Sequence, residues 1–244
     1  PYERRRGDLV IFHGNSMMGP LFRIPSLRQV NLTGFTFGDA CCRGFLEALA
    51  ENSTVTELSF SDCDFRGRCI IEPICDALQT NSTLTSLSFS QHMYLDQAAC
   101  NAIAAMLLVN KTLTKLQFDI GLFDYYDLDN MSGMFLVVIL AMRINTALEE
   151  LTVSYADDGD WYWSKTLIDV FRGTLKTNTS LKKLTLCNAL DDDMCRRLIP
   201  FLLENKTLTT LKIYGCDLSG AMAVEIASQL ENNESLSTLE IVTG

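Results

Sequence analysis

The chain has 244 residues, 48% of them hydrophobic, with a formal net charge of −10 and a pI near 4.7. That length and apolar content allow one domain with a continuous core. The acidic balance argues against nucleic acid or an anionic membrane as a partner, and no uncharged apolar run reaches the ~18 residues of a membrane span.

Residues 1–24 stand apart from the rest. Glu3-Arg4-Arg5-Arg6 is a short basic run, too small to signal nucleic acid. Leu9-Val10-Ile11-Phe12 reads as a strand able to cover one sheet edge, so this segment is expected to be an N-terminal cap, or an arm that docks elsewhere. The sequence starts without Met or a signal peptide, and is read as a fragment or a processed form.

From residue 25 onward one pattern recurs in phase: apolar-x-x-Asn-x-(Ser/Thr/Ala)-(Leu/Val)-x-x-Leu-x-apolar. Its seven asparagines are Asn52, Asn81, Asn110, Asn145, Asn178, Asn205 and Asn233. An eighth copy without the asparagine is Leu27-x-x-Val30-x-Leu32. Counted from Leu27 through Val55, Leu84, Leu113, Leu148, Leu181, Leu208 and Leu236, the successive steps in numbering are 28, 29, 29, 35, 33, 27 and 28. Such a period marks a stacked solenoid. The Leu-x-apolar alternation has period two and predicts a short strand per unit. Between strands, stripes such as Ile71, Ile74, Cys75 and Leu78, or Cys195, Leu198, Ile199 and Leu202, have helical spacing. Helices are expected over about 40–51, 68–80 and 96–109 in the first three units. One unit cannot bury its apolar face alone, so the expected class is α/β: a horseshoe of about eight strand units over 25–244, with a parallel sheet inside and helices outside. The asparagine after each helix is expected to end it in the left-handed conformation and to bond loop backbone.

The fourth and fifth units are longer than the others. The extra residues fall at one place, between strand end and helix start. One loop holds Asp124, Tyr125, Tyr126 and Asp127; the other holds Tyr155, Asp157, Asp158, Asp160, Trp161, Tyr162 and Trp163, with both tryptophans of the chain. Equivalent positions stack side by side in a solenoid, so the two loops should form one acidic and aromatic patch on the rim. Aromatics are enriched at binding hot spots, and repeat insertions map to binding faces. The alternative is that Trp161 and Trp163 only pack on the neighbouring loop. Asp157-Asp158-Gly159-Asp160 lacks the alternating spacing and distal Glu of a calcium loop, so no metal or other cofactor is expected.

In the sixth unit Asp191, Asp192 and Asp193 open a helix, where the dipole favours anions. The last strand is followed by no closing helix, so further chain, a partner or a second copy is expected there. The residues between the buried ones of each strand should face the concave side. They are short hydroxyls in the early units, with Lys115, Lys182, Lys183 and Lys212 giving some positive charge later, Glu149 and Glu150 between them, and Tyr155 and Tyr214 just past the strands. Lys182, Lys212 and Tyr214 join the rim loops as candidate partner-binding residues.

The repeat resembles the ribonuclease-inhibitor-type leucine-rich repeats, also found in NOD-like receptors, tropomodulins and Ran GTPase-activating proteins. Cys63 and Cys216 fall where that family often carries Cys or Asn. The resemblance covers about residues 25–244 and departs at the two long units. It implies a horseshoe used for protein recognition by an unnamed protein partner. It also allows a regulator of a small GTPase, which needs an exposed early-unit arginine such as Arg66 or Arg68, and a structural subunit of a large assembly is a third possibility.

Nine cysteines without C-x-x-C spacing suggest buried thiols in a reducing compartment, cytoplasmic or nuclear. Asn-x-Ser/Thr triplets recur in phase with the repeat and are explained by the fold. His13 and His92 lack a nucleophile or metal partner in sequence, and no phosphate-binding, dinucleotide or hydrolase motif occurs, so an enzyme is not expected.

Overall fold

The computed structural model describes residues 9–12, 19–34, 39–61, 63, 71–93, 96–120, 128–155, 164–188, 190–216 and 218–243. Each Leu-x-apolar run forms a strand, because its alternate large side chains can all fill one side of a pleated surface. The strands are β1 (Leu9–Phe12), β2 (Gln29–Thr33), β3 (Glu57–Ser61), β4 (Ser86–Met93), β5 (Lys115–Ile120), β6 (Glu150–Tyr155), β7 (Lys183–Cys187), β8 (Thr210–Cys216) and β9 (Thr238–Thr243). Among the described residues they make one nine-stranded sheet in sequence order. Every neighbouring pair is parallel. The crossovers carry α1 (Asp39–Glu51), α2 (Ile71–Thr80), α3 (Gln97–Val109), α4 (Leu128–Met142), α5 (Lys165–Thr177), α6 (Asp192–Glu204) and α7 (Gly220–Leu230), and a 3₁₀ turn, Gly19–Arg23, lies between β1 and β2.

The register turns repeat positions into ladders. Leu58, Leu87, Leu116, Leu151, Leu184, Leu211 and Leu239 are direct partners on successive strands. The first six are at most 2% exposed, whereas Leu239 on the last strand is 39% exposed. Beside them Phe60, Phe89 and Phe118 stack nearly parallel, with centroid separations of 5.2 and 6.3 Å. Phe45 and Phe135 meet the two ends of this stack edge-on. Outside the sheet, successive helices pack side by side in order. The strand expected within residues 1–24 is β1, paired with β2 at the outer edge.

Helix starts follow local capping chemistry. Asp96, Ser164, Asp191 and Ser219 each accept the backbone N–H three residues on. Asp191 is thus the cap itself, and Asp192 and Asp193 lie in the first turn of α6.

The helix ends differ from expectation. Asn110, Asn178 and Asn205 cap α3, α5 and α6 in extended backbone, with φ of −69°, −71° and −74°, not in the left-handed region. The carboxamide explains why asparagine recurs from unit to unit. In Asn81 the oxygen accepts from Thr83 N and Leu84 N at 2.9 and 2.8 Å. Its Nδ2 donates to Leu49 O and Asn52 O, in the preceding unit, at 2.8 and 3.0 Å. Asn110, Asn145 and Asn178 repeat the same four contacts. The asparagines are therefore a buried ladder that clips each unit to the one before it, and a left-handed backbone would aim the amide elsewhere.

Candidate functional site

The side chains between the buried ladders line the concave face. One column runs Gln29, Glu57, Ser86, Lys115, Glu150, Lys183, Thr210, Thr238; the next runs Asn31, Ser59, Ser88, Gln117, Thr152, Thr185, Lys212, Glu240. All are at least partly exposed except Thr185. Where the first residue of a run is threonine, its own hydroxyl ties it down. Thr56, Thr85, Thr114 and Thr209 donate Oγ1 to the carbonyl of the equivalent residue one unit earlier, at 3.1–3.2 Å. These hydroxyls brace the strand starts, leaving Ser59, Ser86 and Thr152 as short, partly exposed groups further along.

The lysines of this face are paired across strands. Lys182 reaches Glu149 at 2.7 Å, Lys183 reaches Glu150 at 3.4 Å, and Lys115 reaches the same Glu150 at 3.1 Å. Lys212 contacts Glu240 at 2.7 Å and the Tyr214 hydroxyl at 3.1 Å. The bond from Glu240, with help from Tyr214, raises the Lys212 pKa; the bond from Lys212, then that from Tyr214, lowers the Glu240 pKa. Such exposed pairs contribute little stability. Their effect is on the field: the positive charge expected of the lysines is met by a carboxylate one strand away. The later half of the face therefore alternates in sign.

The rim begins where strands end. Gly34 (φ 71°), Asn188 (φ 52°) and Gly215 (φ 60°) occupy the same place, two residues past the last ladder position, and all are left-handed. A Cβ on Gly215 would overlap the Asn188 carboxamide oxygen. Gly215→Ala is therefore expected to destabilise the fold by about 1–3 kcal/mol. Gly173→Ala inside α5, where nothing lies within 4 Å of the added carbon, is expected to stabilise it by about 0.5–1 kcal/mol. Urea titrations of the two variants should show midpoints shifted in opposite directions.

The two long loops spring from this rim. β5 ends at Ile120 and β6 at Tyr155, and these two residues are register partners. Asp124, Tyr125, Tyr126, Asp127, Asp157, Asp158, Asp160, Trp161, Tyr162 and Trp163 lie outside the described residues, as do Arg66, Arg68 and His13. Asp129, just past the first loop, belongs to α4. His92 lies within β4, which runs on through a register shift to pair Met93 with Ile120.

The buried thiols are poorly suited to reaction. Desolvation, with nearby carboxylates adding to it, raises the pKa of Cys75 strongly and pushes Cys100 up to about 12. Cys195 is likewise raised to about 12, by burial first and then by the nearby Cys216, Asp192 and Asp191, with Arg196 opposing. Thiolates are not accessible there near neutral pH. Among the described residues no cluster of His, Cys, Asp or Glu could hold a metal ion, and no helix is long and apolar enough to cross a membrane.

No family model and no curated protein matches the chain. Solved structures do. Actin-binding site 2 of leiomodin-1 aligns with a TM-score of 0.50 and 23% identity, over 66% of this chain and 86% of that one. A Bacteroides fragilis protein aligns at 0.56 and 16%, over 89% of this chain and 66% of its own length. The C-terminal domain of a Caenorhabditis elegans tropomodulin aligns at 0.47 and 14%, over 67% and 92%. The in-phase repeat, the parallel sheet with an α-helix in each crossover from β2 onward and the first two of these likenesses give this chain the leucine-rich-repeat fold.

Proposed function

We propose that the chain is a non-catalytic protein-interaction scaffold. Its concave sheet and the rim loops of the fourth and fifth units would grip one protein partner. The observation that carries this reading is the concave face itself. Strand after strand, with its repeat positions in register, it presents partly exposed polar side chains that the core does not need. The pairing of Ile120 with Tyr155 supports a joint rim patch, since the two long loops leave the sheet side by side. The sign-alternating charge suits a partner surface of mixed charge rather than a strongly basic one. Lys182, Lys212 and Tyr214 would act as rigid, pre-paired groups rather than free cations. We further propose that residues 1–24 cap the solenoid, with residues 25–244 as its recognition domain. The likeness to actin-binding site 2 of leiomodin-1 makes actin the first partner to assay.

The test is binding by variants on opposite faces. Cosedimentation with actin, then affinity capture with partners identified by mass, should recover a protein that Thr152→Arg on the concave face loses. Lys176→Ala on α5 should retain it. Equal retention by both variants would sink the concave reading. Replacing Trp161 and Trp163 by Ala should weaken that binding by about 2 kcal/mol or more while the thermal melt is unchanged. A lowered melt would instead assign those rings to packing.

A further inference from the structure

A second surface stands out on the outer side, independent of the concave one. Five, two and one residues before a ladder asparagine lie three positions that are neighbours where the backbone is helical, as i, i+3 and i+4; in the fourth unit the last two sit in the turn just past α4, where Ile144 N bonds Ala141 O at 3.1 Å. In the third and fourth units they are Ala105, Leu108, Val109 and Leu140, Arg143, Ile144, and all six are exposed. Leu108 is 46% exposed, Val109 50%, Leu140 47% and Ile144 66%. The unit before has Asp76, Gln79 and Thr80 at these places, and the unit after has Gly173, Lys176 and Thr177. Among the described residues the exposed large aliphatics at these positions are those of the third and fourth units, which lie side by side. Their closeness is set by the ladder: Asn145 Nδ2 donates to Leu107 O at 2.7 Å and to Asn110 O at 3.4 Å. Leu108, Val109 and Ile144 are each one residue from those bonds. The helix α3 has no charged residue at all.

Two cations border the patch. Arg143 lies within its face, and Lys111 follows the ladder asparagine at its edge; both are exposed. Among the described residues neither has an ion-pair partner, while Lys115, Lys182, Lys183 and Lys212 on the concave face and Arg172, Arg196 and Arg197 on α5 and α6 are all paired. In a chain of net charge −10, these two exposed cations favour an anionic group at the patch. The area is small. Four half-exposed aliphatic side chains present on the order of a few hundred Å², the size of a functional patch on a monomer. A stable dimer needs about 800 Å² per partner.

We propose that the seam between α3 and α4 docks an acidic amphipathic helix from another protein. Its apolar face would cover Leu108, Val109, Leu140 and Ile144, and its carboxylates would meet Arg143 and Lys111. This is the helix-in-groove mode, with anchors at i, i+3 or i+4, and i+7.

The test is a display library of peptides of roughly 15 residues, long enough for four helical turns. Apolar residues are fixed at helical spacing, and every other position is free to be Glu or Lys. Selection on the whole chain should enrich Glu. Enrichment of Lys, or no enrichment, would overturn the proposal. Ile144→Glu and Leu108→Glu should each weaken a selected peptide at least about tenfold, about 1.4 kcal/mol. Arg143→Glu with Lys111→Glu reverses charge without disturbing aliphatic packing, and should weaken it similarly while admitting Lys-rich peptides. Thr152→Arg on the concave face should leave peptide affinity unchanged, and dependence on that variant would place the peptide in the wrong site. Affinity indifferent to the outer variants would refute the site. Sedimentation showing a wild-type dimer that Ile144→Glu converts to monomer would refute the occupant in favour of a second copy of this chain.

Discussion

Phe89→Ala is expected to destabilise the chain by about 3–5 kcal/mol, among the largest effects of any core truncation here. Phe89 is 1% exposed and lies between Phe60 and Phe118, nearly parallel to both. Removing the middle ring deletes two ring contacts and opens a void between rigid ladders. The strands on either side are locked in register, so the site cannot collapse around the smaller residue. Phe89→Leu, which keeps most of the volume, should cost less, about 1–2 kcal/mol. Urea unfolding followed by circular dichroism checks both. Equal costs for the two variants would show that the stack itself contributes nothing beyond a generic apolar side chain.

Asn81→Ala is expected to cost a similar amount for a different reason. The change adds no void of comparable size. Instead it strips partners from two backbone N–H groups, Thr83 and Leu84, and from the carbonyls of Leu49 and Asn52. Asn81 is only 4% exposed. Leu49 O keeps its bond from Asn52 N; the other three groups, at the lower end of about 1–3 kcal/mol each, give an expected total near 3–5 kcal/mol. Asn81→Asp keeps the acceptor but loses both donor bonds and brings a carboxylate next to carbonyl oxygens, so it should be no better at neutral pH. Asn233→Ala is the control: that position is only partly buried in the last unit, and a smaller loss, about 1 kcal/mol, is expected. An Asn233→Ala cost matching that of Asn81→Ala would mean the ladder works locally within each loop and not as a clip between units. In a solenoid, where each unit contacts only its neighbours, an interior lesion should also broaden the transition.

Much of the architecture was readable from residue spacing. Strand positions, the buried leucines and phenylalanines, and the helices of the regular units follow from periods of two and about 3.6, which are local properties of the backbone. The expected start of α2, at 68, lies outside the described residues, which resume at Ile71. The left-handed asparagine was the clearest error. Asparagine past a helix does favour that conformation in general, but here the carboxamide is held by carbonyls of the preceding unit, and reaching them requires extended backbone. The concave lysines were identified but not their neutralisation. Lys182 and Glu149 occupy the same repeat position one unit apart, so the pairing was encoded in the alignment of units. The apolar seam of α3 and α4 carried a similar signal, visible once the positions preceding each asparagine are compared between units.

The sequence alone determined that equivalent positions would stack, because a unit with one apolar face and a fixed period has no other way to cover it. It determined which residues are buried and which side of each strand is free. Only the tertiary structure decided what those free and buried polar groups do. Hydrogen bonds and ion pairs depend on ångström-scale distances between successive units, and no local periodicity sets those distances. Thus the carboxamide of Asn81 became a clip, Lys212 became the pivot of a Glu240–Tyr214 cluster, and Leu108 and Ile144 came to lie exposed on adjacent units held together by Asn145.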